Sequence, residues 1–162
     1  MKPLMNLDEV KVEGGEPTGS FQQHYGLISS EIGAKKLGYN LTICPPGKTA
    51  CPYHNHHANE EMFFILEGEG TLRFGDEEYP LRKHDIIACP PGKRHLAHEI
   101  TNTGKTDLKY LALSTKEHTE VCEYPDSNKV SITVGDYGDW DMRLISKADQ
   151  GVDYFEGEER AK

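Results

Sequence analysis

Gly47-Lys-Thr-Ala-Cys51-Pro-Tyr-His54-Asn-His56-His57-Ala-Asn-Glu60-Glu61-Met-Phe-Phe-Ile-Leu-Glu-Gly68-Glu-Gly70 places three imidazoles and two carboxylates within eight residues, ahead of an apolar run that closes on a glycine turn. If His54 to His56 is extended, the two-residue period of a strand puts those two rings on one face, a pose in which two nitrogens can grip one metal ion. Glu61, arriving on the next strand, would add a third ligand. In that strand Phe63 and Ile65 share a face with Glu61, while Met62, Phe64 and Leu66 fill the other, so neither side favours water. One side is expected to line a barrel interior and the other a second sheet or a partner subunit.

Upstream, Leu37 to Ile43 alternates with apolar odd positions, which predicts a strand whose odd face looks inward. Cys44-Pro-Pro-Gly-Lys48 then makes a turn, because proline presets φ and glycine takes the left-handed position. The same five residues recur at 89–93, and each copy precedes a strand with histidines, which suggests two equivalent halves of one barrel. Gly75-Asp76 marks a hairpin. In His95-Leu-Ala-His98-Glu-Ile100 only one histidine can face inward with the core. Turning His98 inward takes Leu96 and Ile100 with it, whereas turning His95 inward buries Glu99, so His98 is favoured over His95.

Leu108 to Ser114 is the last strong core strand. Before residue 37 the pattern is that of an irregular arm with an edge strand near Gln22 to Ile28. After residue 114 it weakens to one strand at Val130 to Val134 and an acidic end. The expected division is an arm over 1–36, a barrel core over 37–114 and an extension over 115–162. With 16 Gly and 9 Pro in 162 residues, the chain reads as turn-rich, helix-poor and all-β.

The net charge of -9, without any basic run, argues against nucleic acid and anionic membrane surfaces as partners. No apolar stretch has the length of a membrane span and the first residues lack the core of a secretory signal, so a cytoplasmic location is expected. Cys44, Cys51, Cys89 and Cys122 form no Cys-x-x-Cys and are read as reduced thiols. Cys51, three residues before His54, could reach the same ion, although an extended strand would turn it to the opposite face.

These residues resemble the cupin superfamily. Gly47, His54, His56, Glu61 and Gly68 fit its first motif, and Pro90, Gly92, His98 and Asn102 fit the second. Two departures stand out: His84 occupies the place of the second motif's leading glycine, and the gap from Gly92 to His98 is longer than usual, so that His95 satisfies the common gap and His98 the spacing to Asn102. The resemblance implies a double-stranded β-helix, a jelly-roll barrel, often a homodimer, with a divalent metal held inside by three histidines and one glutamate. On this chain those are His54, His56, Glu61 and His98. His57 with Asn55 is a competing register, disfavoured because asparagine is a poor transition-metal ligand; Glu60 is the neighbouring alternative to Glu61.

Imidazoles and a carboxylate suit Fe, Mn, Ni, Co, Cu or Zn. The fold hosts many chemistries, so three functions stay open. One is an enzyme acting on a small oxygenated substrate, of dioxygenase, isomerase, decarboxylase or lyase type, with sugar-phosphate isomerase as a named case. The others are a non-catalytic barrel binding a small-molecule ligand, and a structural homodimer. Arg73, Tyr39 and Tyr110 are pocket candidates by strand position, and Lys93-Arg94 lies near a candidate mouth.

Overall fold

A computed structural model describes residues 2–158. The chain is all-β and antiparallel, built as a jelly roll. One sheet has six strands: β1 (Glu13–Gly14), β2 (His24–Leu27), β3 (Leu37–Cys44), β10 (Leu108–Thr115), β5 (Glu61–Glu67) and β8 (Ile86–Cys89), in that spatial order. Facing it are two smaller sheets. One runs β7 (Glu77–Arg82), β6 (Glu69–Phe74), β9 (His98–Thr101); the other runs β13 (Asp139–Lys147), β12 (Lys129–Asp136), β11 (Thr119–Tyr124), β4 (Asn55–His56). Bridges at Thr49–Thr101 and His54–His98 join these two edge to edge. Between the layers lies a core that includes Cys44, Phe63, Ile65, Leu72, Ile100 and Leu108.

The repeated Cys-Pro-Pro-Gly-Lys segments occupy equivalent places. β3 ends at Cys44 and β8 at Cys89, both buried, and each turn leads toward a histidine strand. The turns are held from opposite sides by two buried asparagines. Asn102 Nδ2 donates to the Cys44 carbonyl at 2.7 Å and to Thr106 O at 2.8 Å. Asn55 Nδ2 donates to Gly92 O at 2.8 Å. A buried amide left without such partners costs about 1–3 kcal/mol, so both side chains are committed to the frame.

Several expectations are corrected. In β3 the even residues Thr42 and Cys44 face the core, opposite Tyr110 and Leu108. The odd residues, Tyr39 and Leu41 among them, form the outer face, where the arm crosses: a Cβ on Gly26, the neighbour of Leu41, would collide with Val10 and Lys11. Short polar side chains inside and apolar ones beneath the arm invert the apparent parity. Leu96 does not share a strand face with His98 either, because Arg94–Leu96 is a single 3-10 turn and β9 begins at His98. Among the described residues beyond 114 there are three strands rather than one, β11, β12 and β13.

β5 ends at Glu67, and Gly68 just beyond it has φ 84°. A Cβ there would lie 2.5 Å from Asp107 O and 2.9 Å from Leu108 Cα. Left-handed backbone and overlap with neighbouring backbone add, so Gly68→Ala is expected to lower unfolding free energy by about 2–3 kcal/mol. Urea denaturation of the variant beside wild type checks this; an unchanged midpoint would contradict it.

Candidate metal centre

His54 and His98 face each other across the junction of the two histidine strands and exchange both backbone hydrogen bonds, His54 N to His98 O at 3.1 Å and His98 N to His54 O at 2.7 Å. A pair so matched sends both side chains to one face of the sheet. Their ring centroids are 4.7 Å apart. Each Nδ1 meets the carbonyl two residues earlier, Pro52 O at 2.7 Å for His54 and Leu96 O at 3.4 Å for His98. A carbonyl only accepts, so Nδ1 carries a proton and Nε2 is the nitrogen turned into the barrel.

The Nε2 atoms converge on Glu61, the first residue of β5. Its Oε2 lies 3.0 Å from His98 Nε2, 3.3 Å from His56 Nε2 and 3.6 Å from His54 Nε2. Donor atoms of His54, Glu61 and His98 all fall within 4.8 Å of one another. Three ring nitrogens around one anionic oxygen repel it unless protons or a cation lie between them. Burial would raise the Glu61 carboxyl, but hydrogen bonds from the three histidines hold it well below the usual range. Burial likewise opposes charge on His56, yet Glu120 and Glu61 on either side raise it to about 9. The donor set is one that a divalent transition metal would satisfy, with the cation replacing those protons.

Glu120 was not anticipated. This buried carboxylate on β11 accepts backbone N–H bonds from His57 (3.0 Å), Ala58 (3.2 Å) and Asn59 (2.5 Å), and its Oε2 lies 3.6 Å from His56 Nδ1. Burial pushes its carboxyl up, but His56 and the Asn59 N–H outweigh this and lower it. Two residues on, Cys122 stands opposite His56 in register, its thiol pushed up to about 12 by burial. Tyr124 stacks on His54 at 6.1 Å. The inward face of β11 therefore reads Glu, Cys, Tyr, which no apolar periodicity could flag.

The remaining candidates lie elsewhere. His57 is turned outward to Glu123 at 2.8 Å, and Arg94 pairs with the same carboxylate. His95 and Glu60 are exposed. His84 stacks on Phe64 with φ 76°, supplying the left-handed backbone that a glycine would otherwise provide. Cys51 accepts a hydrogen bond from Gln23 Nε2 at 3.7 Å. Arg73 lies over the Tyr53 ring and pairs with Glu99 and Asp126, and Tyr39 is on the outer face of its sheet. Of the three pocket candidates only Tyr110 is inside, edge-on to Phe63, which itself packs against His98.

Residues 40–114 match the family model of the cupin domain. Over these residues the chain is a cupin domain. The match covers both histidine strands and Glu61. An oxalate-binding protein of Thermotoga maritima is 35% identical over 69 residues, 43% of this cupin and 54% of that protein. The chain spans about half the length of the curated relatives it matches first. Among solved structures, a candidate sugar phosphate isomerase from Acidithiobacillus ferrooxidans superposes with a TM-score of 0.77 at 26% identity, covering 93% of this cupin and 96% of that chain. A sugar phosphate isomerase from Silicibacter pomeroyi, at 21% identity and TM-score 0.78, shares the fold over 91% of this chain and 94% of its own. No helix among the described residues is long and apolar enough to cross a membrane.

Glu120 holds the 57–59 loop and the outer edge of His56, so Glu120→Ala is expected to weaken binding of Mn2+ by on the order of 10–100-fold, with Glu120→Gln in between. Calorimetric titration of chelator-treated protein measures this; equal affinity in all three proteins would contradict the assigned role.

Proposed function

We propose that this cupin is a metal-dependent enzyme acting on a small oxygenated substrate, with a divalent transition metal held by His54, His56, Glu61 and His98. The observation that carries the reading is the convergence of three imidazole Nε2 atoms on one Glu61 oxygen at 3.0–3.6 Å. When bound, such an ion supplies a Lewis acid that polarises a substrate oxygen. The chain's own residues prepare the place for it. The carbonyls of Pro52 and Leu96 fix the tautomers of His54 and His98. Phe63 and Phe74 pack against the His98 ring, at 5.8 and 6.5 Å, and keep water from that side. Tyr110, fully buried, is held protonated well above the ordinary phenol range by burial, so it offers a hydrogen-bond donor within the barrel.

Within this class an isomerase acting on sugar phosphates is supported by the likeness to the Acidithiobacillus structure, which extends beyond the barrel across the C-terminal strands. A phosphate needs a free cation near the site. Arg94 and Arg73 are already paired with carboxylates, but Lys129 Nζ lies 5.2 Å from the centre of the Tyr124 ring, which stacks on His54. A homodimer is our proposal for the assembly, supported by the outer face of the six-stranded sheet, where Ile86 is 67% exposed beside Phe64 and Met62 is 39% exposed. The non-catalytic alternative is a ligand-binding barrel using the same site.

Two experiments test the reading. Without metal, His56 keeps its proton up to about 9. Metal loading at neutral pH must expel it, so affinity should rise with pH, by about tenfold per unit, and level off above that value. Mn2+ titrations in buffers of different ionisation enthalpy should show proton release; binding without release would contradict the ligand role of His56. Metal-loaded protein is then assayed on sugar phosphates, keto acids and catechols. Turnover of phosphorylated sugars with KM raised about tenfold in Lys129→Ala would support the isomerase. Ligand-induced thermal stabilisation without turnover would replace the enzyme by the binding barrel.

A further inference from the structure

Cys122 Sγ lies with ring nitrogens of His54 and His56 in a group of donor atoms all within 4.8 Å of one another. His54, Glu61 and His98 make a second group with the same limit, and His56 Nε2 faces Glu61 as well. The two histidines therefore serve either side. In tetrahedral zinc sites, bonds of about 2.0 Å to nitrogen and 2.3 Å to sulfur space the ligand atoms roughly 3.3–3.6 Å apart. Either group closes to that spacing by contractions of at most about 1.5 Å, within reach of rotamer adjustment.

Among the described residues, Cys122 is the thiol grouped with the histidines, whereas Cys89 is packed in the apolar core. Cys44 Sγ donates to Lys48 O at 3.1 Å and Cys51 is engaged by Gln23. The contact of Cys122 is a weak one, 4.0 Å to the carbonyl of its own neighbour Glu123. Beside it, the buried His56 Nδ1 makes no hydrogen bond and stands 3.6 Å from Glu120 Oε2, so the ring sits between Glu61 and β11, the strand that carries Cys122. The two groups also differ in kind. Three imidazoles and a carboxylate suit Mn2+ and Fe2+, whereas two imidazoles and a thiolate favour soft ions.

We propose that His54, His56 and Cys122 form a second ligand set that takes thiophilic ions, Cd2+, Zn2+ or Cu+, in competition with the Glu61 set for the two shared histidines. The step is a ligand exchange without oxidation: the Cys122 S–H bond breaks, the proton leaves to buffer, and the sulfur lone pair bonds the ion. A soft ion thereby draws His54 and His56 toward β11 and excludes the harder ion from Glu61 and His98. The C-terminal strand gives the centre a means of discriminating metals, whatever reaction the Glu61 set supports.

The test titrates chelator-treated full-length chain with Cd2+, reading the thiolate-to-cadmium charge-transfer absorption, and separately with Mn2+, reading the spin resonance of free Mn2+. Wild type, Cys51→Ser and Glu61→Gln should each develop the cadmium band to one equivalent. Cys122→Ser and Cys122→Ala should lose it while binding Mn2+ like wild type, and should need at least about tenfold more Cd2+ to displace Mn2+. Two substitutions are used so that a folding defect in one does not decide the result. A missing band in wild type, a band that survives both Cys122 substitutions, or one abolished by Cys51→Ser would overturn the proposal. A normal cadmium band with no Mn2+ binding in wild type would instead remove the Glu61 set and leave the Cys122 set standing.

Discussion

The candidate centre depends on one backbone pair. His54 and His98 exchange both main-chain hydrogen bonds, and this pair, together with the Thr49–Thr101 bridge, joins the two smaller sheets edge to edge. A slip of one residue would send one ring out of the barrel and separate the nitrogens that Glu61 now faces. The register is in turn held by the two Pro-Pro-Gly turns and by Asn102 and Asn55, each buried and each bound to the opposite turn. The site is thus built from the fold's internal repeat rather than from a flexible loop, which is the arrangement that presents several ligands at fixed distances.

A second layer comes from the C-terminal strands. β11 pairs with β4 directly behind His56 and brings Glu120, Cys122 and Tyr124 to the same face. Glu120 binds three consecutive backbone N–H groups of the loop that carries the chain from His56 to Glu61. Two ligand-bearing strands are thereby tied to one carboxylate. The likeness to the Acidithiobacillus structure runs through these strands too, while the family match stops at residue 114.

The barrel and the four converging residues were legible because each is written in local pattern: a His-x-His, a glutamate opening an apolar run, and a repeated turn. His98 could be favoured over His95 on parity, although the reason was partly mistaken, since Leu96 belongs to a 3-10 turn and only Ile100 shares the strand face. The orientation of β3 was misread because Thr42 and Cys44 are inside while apolar Leu41 sits under the arm. Glu120 and Cys122 were illegible for a related reason: the strand turns polar groups toward the site, so it carries no inward apolar stripe. His84 reads as a departure from the family pattern but adopts the backbone its glycine would have had.

The central claim is that both histidine strands and Glu61 hold one ion together. Elemental analysis of untagged protein purified without chelator tests it most directly, with wild type set beside Glu61→Gln, His98→Ala and His95→Ala. The account predicts about one transition metal per chain in wild type and His95→Ala, and loss of that metal in Glu61→Gln and His98→Ala. Metal retained without His98, or lost on removal of His95, would contradict it.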